Sequence, residues 1–281
     1  MPAIRKERIS LLTSAVVLVL LLVGAFWDGL VVRRYVLGSG KLASSVRLLV
    51  LTDLHSTMYG KNQSVLLAKI KELKPDLVFL VGDIVDDKRP MEGALQLLEA
   101  LGSEYPTFYV TGNHEFWSGQ ADEIKDSIRS FGITVLEGNC KTVEVQGQRI
   151  QICGVDDPDG FEEERFFGTE ISPGWDQELE KCEAQLDASE YSILLSHRPE
   201  RVSYYAQSGF DLVVAGHAHG GQIRIPGLLN GLYAPNQGFF PKYAGGSYDL
   251  GSSTMIVSRG LSKSVVPRMF NPPEIVIVDL E

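Results

Sequence analysis

From Val46 onward, short apolar runs alternate with stretches whose apolar residues recur at helical spacing. The runs are Val46–Thr52, Asp76–Val81, Thr107–Thr111, Arg149–Val155, Tyr191–Ser196 and Asp211–Ala215. Nearly continuous runs of Val, Ile and Leu predict strands buried on both faces, as in an α/β protein. Between them, Ser64–Leu73, Met91–Leu101, Ala121–Phe131 and Trp175–Leu186 predict amphipathic helices. Residues 220–281 change character: they are rich in Gly, Pro and aromatics, with two late strand candidates, Thr254–Ser258 and Glu274–Leu280, and no helix is expected there.

The N-terminus follows another pattern. Ile9–Trp27 is an uncharged run of 19 residues, preceded by Arg5, Lys6 and Arg8 and followed by Asp28, Arg33 and Arg34. At 1.5 Å per residue, about 20 apolar residues span a bilayer. The run ends in Phe26 and Trp27, which suit an interfacial belt better than a cleavage site. An uncleaved transmembrane helix is therefore expected, ahead of a cleaved signal or a buried soluble helix. The basic residues before the span weakly favour an extracytoplasmic catalytic domain, hence a single-pass cell-membrane protein. Residues 37–45 (LGSGKLASS) read as a flexible linker. The expected organisation is a stub and anchor over 1–36, the linker, and a folded domain over 46–281.

Charge refines this picture. The net charge is -10, but residues 1–45 carry six basic and two acidic side chains, so residues 46–281 carry -14. An acidic body repels a polyanion, so no extended nucleic acid is expected as partner. Cys140, Cys153 and Cys182 lack the spacing of a zinc knuckle or disulfide framework. They read as core or incidental residues rather than as one disulfide plus a free thiol.

The candidate chemistry lies at the C-terminal ends of the strands, where α/β sheets form their binding crevice. The first run leads into Asp53-Leu54-His55, the second into Gly82-Asp83 and the third into Gly112-Asn113-His114-Glu115. The fifth leads into His197 and the sixth into Gly216-His217-Ala218-His219. Each piece alone has a bland reading as a capped turn or a hydrogen-bonded bystander. Together they absorb all 5 histidines of the chain, which bland usage would scatter over the surface.

In this order the motifs of residues 48–219 resemble the calcineurin-like metallophosphoesterase superfamily. The resemblance implies a two-sheet αββα sandwich with a binuclear metal site at the strand ends. It implies that Asp53, His55 and His219 bind one ion, that Asn113, His197 and His217 bind a second, and that Asp83 bridges them. His114 would stand beside the scissile phosphate as the catalytic residue. Imidazole, carboxylate and amide ligands suit two divalent ions, Mn, Zn or Fe. With two carboxylates and a bridging hydroxide the centre keeps about one positive charge and open positions, which attracts a phosphoester. The expected function is metal-dependent hydrolysis of a phosphodiester or phosphomonoester, ahead of a nuclease of the same superfamily or a silent metal-binding scaffold.

The run GHAHGGQI (216–223) with the N-terminal span is similar to a bacterial branch of membrane-associated phosphodiesterases, which implies a membrane or lipid-linked envelope substrate. No protein partner is implied. Three further segments read both ways. The aromatics Phe239, Phe240 and Tyr243 around Lys242 fit a loop tucked onto the sheet edge, or a substrate-side or headgroup-dipping surface. Arg259 and Arg268 read as structural or solvated more readily than as holders of a second phosphate. The acidic run 156–164 lacks calcium-loop spacing and reads as a solvated loop.

Overall fold

A computed structural model describes the backbone at residues 2–164, 173–263 and 266–281, and side chains at 13–161, 174–263 and 266–281. In chain order the elements begin with helix α1 (Pro2–Ala25), strands β1 (Val31–Leu37) and β2 (Val46–Leu51), α2 (Ser64–Leu73), β3 (Leu77–Val81), α3 (Glu92–Glu104) and β4 (Thr107–Val110). Next come α4 (Asn113–Trp117), α5 (Ala121–Ser130), β5 (Thr134–Val135), β6 (Asn139–Val145), β7 (Gln148–Gly154), α6 (Pro173–Glu183), β8 (Tyr191–Leu195), α7 (Val202–Tyr205) and β9 (Leu212–Ala215). The chain closes with β10 (Tyr233–Ala234), β11 (Gly238–Phe239), β12 (Gly246–Asp249), β13 (Thr254–Val257) and β14 (Glu274–Leu280).

Two six-stranded sheets form, in the orders β1-β14-β2-β3-β4-β5 and β12-β13-β9-β8-β7-β6. Their facing sides enclose an apolar layer including Leu48, Phe79, Phe108, Ile193, Val214 and Val276. The outer face of the first sheet is covered by α2, α3 and α5 through Leu66, Ile70, Leu97, Leu98, Leu101, Ile124 and Ile128. The outer face of the second is covered by α6 through Trp175, Leu179 and Cys182. This is the mixed α/β two-sheet architecture expected. The central strands β2, β3, β4, β7, β8 and β9 are buried on both faces because each sheet is sandwiched, so every predicted run forms a strand. Parallel pairing of β2, β3 and β4, and of β7, β8 and β9, points their C-terminal ends the same way within each sheet.

Three expectations are corrected. First, the folded unit does not begin at Val46: residues 31–37, expected to end the anchor segment and open the linker, belong to the first sheet. They form β1, paired in parallel with β14 over seven residues, because β14 would otherwise present an unpaired edge. The glycine-rich segment that follows is tied down: Ser39 N–H donates to Glu281 O at 2.5 Å, Lys41 Nζ donates to Asp211 at 2.8 Å, and Gln148 Oε1 accepts from Ala43 N–H at 2.8 Å.

Second, Cys140 and Cys153 form a disulfide and Cys182 is a buried free thiol. The two half-cystines are directly opposite in the β6–β7 ladder, a register that residue spacing does not reveal. Third, the acidic run is not wholly solvated. Asp156 bonds Lys125 Nζ at 2.8 Å and Asp157 bonds Arg198, so both carboxylates are buried with a cation. The side chains of 162–164 lie outside the described residues.

Among the described residues no helix is long and apolar enough to cross a membrane. The part of α1 with described side chains, 13–25, rises about 20 Å, against the roughly 30 Å of a bilayer's hydrocarbon. The remainder of the expected span, 9–12, lies outside the described side chains. Val16–Val23 are nonetheless 48–64% exposed.

Candidate metal centre and cleft

The turns that leave β2, β3 and β9 are backbone-strained at the positions singled out by the motifs. Asp53 (φ 51°), His55 (46°), Asp83 (52°), His217 (65°) and His219 (47°) all adopt left-handed backbone. Such conformations cost a non-glycine residue roughly 1 kcal/mol or more and persist only where the surroundings impose them. Here they do: Asp53 N–H donates to Gly82 O at 3.0 Å, His55 N–H to Asp83 O at 2.8 Å and Ser56 N–H to Ile84 O at 3.0 Å. The turns after β2 and β3 are thereby laced together. Gly112 is required by close approach, because a Cβ there would stand 2.3 Å from Asp83 Oδ1.

Glu115 is the organiser that the sequence reading left without a role. Fully buried, its Oε2 accepts Gly112 N–H (2.8 Å) and Asp83 N–H (3.0 Å), and its Oε1 accepts Ile84 N–H (2.8 Å) and Val85 N–H (2.9 Å). One carboxylate thus binds the turn after β3 to the start of α4. Its only sequence signal was its place at the end of the Gly-Asn-His-Glu motif.

Three imidazoles, those of His197, His55 and His219, each have one ring nitrogen held from outside and the other turned toward shared carboxylates, and a fourth, that of His217, is held at Nε2. His197 Nδ1–H donates to Val81 O (2.9 Å), leaving Nε2 3.2 Å from Asp83 Oδ2 and 3.9 Å from Asp53 Oδ1. His55 Nδ1–H donates to Asp86 Oδ2 (3.1 Å), and its Nε2 lies 3.6 Å from Asp83 Oδ2. His219 Nδ1 bonds Ser262 Oγ (3.1 Å), with Nε2 3.6 Å from Asp53 Oδ1. His217 Nε2–H donates to Asn236 Oδ1 (2.9 Å), which also accepts from Arg198 Nη1 (2.8 Å). Outer partners of this kind fix the tautomer of a metal-binding histidine.

The donor atoms fall into three overlapping groups in which all atoms lie within 4.8 Å of one another: Asp53, His55, Asp83 and His219; Asp83, His197 and His217; and His55, Asp86 and His114. Asp83 is common to the first two. Asp53 Oδ2 and Asn113 Oδ1 are buried with no hydrogen-bond partner among the described residues, and His197 Nε2 faces only the carboxylates of Asp83 and Asp53. Orphaned acceptors at that density are costly unless a cation satisfies them. The residues present therefore fit divalent ions.

The electrostatics divide the imidazoles into two pairs. Burial pushes the Asp83 carboxyl up, but His197, His55 and His114 more than offset it and hold it well below the usual range. Burial, with Arg198 beside it, holds His217 well below its ordinary value. Burial lowers His219 to about 4, with His55 acting in the same direction and Asp53 against it. Burial opposes the charged form of His197 and His55 as well, but Asp83 outweighs it at His197, raising that imidazole to about 10, and Asp86 with Asp83 outweighs it at His55. Neutral imidazoles and an ionised carboxylate are the forms that bind metal, so a bound cation would take the place of the protons on these two.

These residues face a cleft of about 410 Å³ lined by Asp83, Asn113, His114, Trp117, Asp159, Arg198, His217, His219, Pro235 and Asn236. His114 is half-buried on its wall. Its Nδ1–H donates to Asp87 Oδ1 at 2.7 Å, and its backbone N–H donates to Asp83 Oδ1 at 2.9 Å. The structure thus brings all eight motif residues, Asp53, His55, Asp83, Asn113, His114, His197, His217 and His219, to one end of the sandwich. It adds Asp86, Asp87, Arg198, Trp117 and Asn236, of which all but Asn236 stand within four residues of a motif in the sequence. Asn236 arrives on the β10–β11 hairpin, whose Phe239 and Phe240 are 72% and 68% exposed, while Tyr243 packs against the core beneath. Arg259 and Arg268 bond Glu274 and backbone carbonyls respectively.

A sandwich whose facing strand ends deliver clustered histidines and carboxylates into an open cleft defines a hydrolase-like metal centre. The sequence profile of the calcineurin-like phosphoesterases matches residues 46–221, and the chain belongs to that family, whose members use divalent metals to hydrolyse phosphoesters. An uncharacterized metallophosphoesterase of Campylobacter jejuni is 33% identical over 85% of this chain, which spans 60% of that relative's length. One of Aquifex aeolicus is 30% identical over 89% of this chain and 91% of its own. The phosphodiesterase YaeI of Escherichia coli is 26% identical over 85% of this chain and 83% of its own. Among solved structures, the NAD nucleotidase of Haemophilus influenzae shares the fold with a TM-score of 0.50 at 18% identity, over 77% of this chain and 45% of its own.

Proposed function

We propose that the chain is a binuclear phosphoesterase acting on a phosphodiester or phosphomonoester, with a membrane or envelope substrate. The observation that carries the reading is the set of inward-facing, unpartnered acceptors around Asp83. Asp53, His55 and His219 would hold one ion, Asn113, His197 and His217 the other, and Asp83 both. Ions held there supply Lewis-acid charge and an activated water. The remaining work belongs to the chain: the Asp87 bond orients the His114 ring so that Nε2 can deliver a proton to the leaving-group oxygen. The neutral Asn113 ligand keeps the centre electropositive for the phosphoryl group.

The membrane part of the reading is supported by the uncharged run 9–27 and by the exposed apolar residues of α1. The Cys140–Cys153 disulfide suits an oxidising compartment, and so supports an extracytoplasmic catalytic domain. The deciding experiment compares bis-p-nitrophenyl phosphate with p-nitrophenyl phosphate after chelation and readdition of Mn, Zn or Fe singly. Turnover restored by one of these ions supports the reading and ranks diester against monoester. No turnover with any ion would make the chain a silent scaffold.

A further inference from the structure

At the margin of the sandwich where α1 ends, four guanidinium groups gather around one carboxylate, and the innermost, Arg268, also acts on Asp53 and His219 of the cleft. Glu274 opens β14 and is fully buried. Its Oε2 lies 3.2 Å from Arg259 Nη1 and 3.5 Å from Arg33 Nε, and its Oε1 accepts Arg259 N–H at 2.9 Å. Arg259 Nη2 also reaches Asn230 Oδ1 at 3.3 Å. Arg224 Nε donates to the carbonyl of the same Asn230 at 3.1 Å. Arg268 lies on the other side, its guanidinium bound to the carbonyls of Gly260 and Ser262. Tyr35 stands beside them, its hydroxyl kept neutral by burial and by Glu274.

Arg268 also has Asp53 as a counter-charge, so Glu274 is left to balance Arg33, Arg224 and Arg259, three cations to one anion in a chain whose net charge is negative. Asp28, which precedes β1, is engaged elsewhere, with Lys263. No acceptor among the described residues bonds the terminal nitrogens of Arg224. Burial first, then Arg259, pulls the Arg224 guanidinium down to about 10, as befits a cation short of a counter-ion. Arg33 is half-exposed and Arg224 half-buried, so the open side of the cluster belongs to these two.

Its surroundings are apolar. Ile225 and Leu228 in the adjoining turn are 47% and 82% exposed. Met269 O accepts Arg224 N–H at 2.9 Å, and the next residue, Phe270, donates its N–H to Ala25 O at 2.7 Å. The cluster is thereby tied to the end of the helix that exposes Val16–Val23. A guanidinium pair matches the geometry of phosphate oxygens.

We propose that Arg33 and Arg224, backed by Arg259, form a binding site for a phosphate-class oxyanion distinct from the histidine–carboxylate cleft. The oxyanion is either the headgroup of an anionic lipid or free phosphate. The site does not depend on the hydrolytic reading.

The test uses the full-length protein in non-ionic detergent, freed of divalent ions by chelation so that the cleft offers phosphate no metal. Inorganic phosphate, dihexanoyl phosphatidic acid and zwitterionic dihexanoyl phosphatidylcholine are titrated separately by calorimetry. Saturable 1:1 binding of an anionic probe is expected, weakened about tenfold or more in Arg224→Gln and in Arg33→Gln, each of which loses a charge-assisted contact. Preference for phosphatidic acid over inorganic phosphate assigns the lipid source, and equal affinity assigns free phosphate. Arg33→Gln changes a half-exposed side chain on an edge strand, so it decides the matter if Arg224→Gln fails to fold. Absence of saturable binding, or affinities unchanged in the folded variants, would overturn the site.

Discussion

Glu115→Gln is the substitution that most directly tests how the metal centre is built. Each carboxylate oxygen accepts two backbone N–H groups, Gly112 and Asp83 on one and Ile84 and Val85 on the other. A glutamine offers one oxygen, and flipping its amide only exchanges the pairs. Two buried N–H donors are therefore left facing an NH₂ group in either orientation. An orphaned buried donor costs about 1–3 kcal/mol, so the loss is about 2–6 kcal/mol, a large share of the ~5–15 kcal/mol that holds a domain together. The same donors fix Asp83 and the start of α4, so metal affinity should fall with stability. Urea unfolding of the metal-free and metal-loaded protein reads both quantities: the midpoint should drop with little change in slope, and the gap between the two forms should narrow. A loss below about 1 kcal/mol with metal affinity intact would refute the assignment of Glu115 as organiser.

Two substitutions separate binding from chemistry. Asp83→Asn removes the carboxylate common to two ligand groups and, on the proposed binuclear reading, should lower the metal content at both groups, as metal analysis of the purified protein would show; an unchanged metal content and affinity would contradict the proposal that Asp83 bridges. His114→Ala should keep its metal content and lose roughly 10²-fold or more in turnover on a poor leaving group; near-normal rates would remove His114 from the mechanism. A chain beginning at Val46 lacks β1 and bares the β14 edge, so it should aggregate or melt lower than one beginning at Asp28, as size-exclusion chromatography and thermal unfolding would report. Burial first, then Asp156, raises the Glu178 carboxyl from 4.5 to about 7. The fold thus favours its protonated form, and this contribution is complete below pH 4.5 and lost as pH rises toward 7. Glu178→Gln should therefore flatten the stability profile between pH 4.5 and 7, and a profile parallel to that of the parent protein would sink the assignment.

Much of the architecture was legible because it rests on local pattern. Apolar runs such as Leu77–Val81 and Tyr191–Leu195 can satisfy their burial only between two covered faces, and parallel pairing then sends their C-terminal ends in one direction. That is why the motif residues of five separate strands could be expected to converge. What spacing could not carry was anything decided by long-range partners. β1 was taken for part of the anchor region because its exposed Arg33 and Arg34 look like flanking charges. It becomes a strand only when β14, more than two hundred residues away, offers it an edge.

Cys140 and Cys153 became a disulfide through the β6–β7 register, and Asp156 and Asp157 became buried through Lys125 and Arg198. The role of Glu115 and the gathering of Arg33, Arg224, Arg259 and Arg268 around Glu274 have the same origin. A residue's chemical type is written in the chain, but the counter-charge or hydrogen-bond donor that gives it a task is supplied by whatever folding brings beside it.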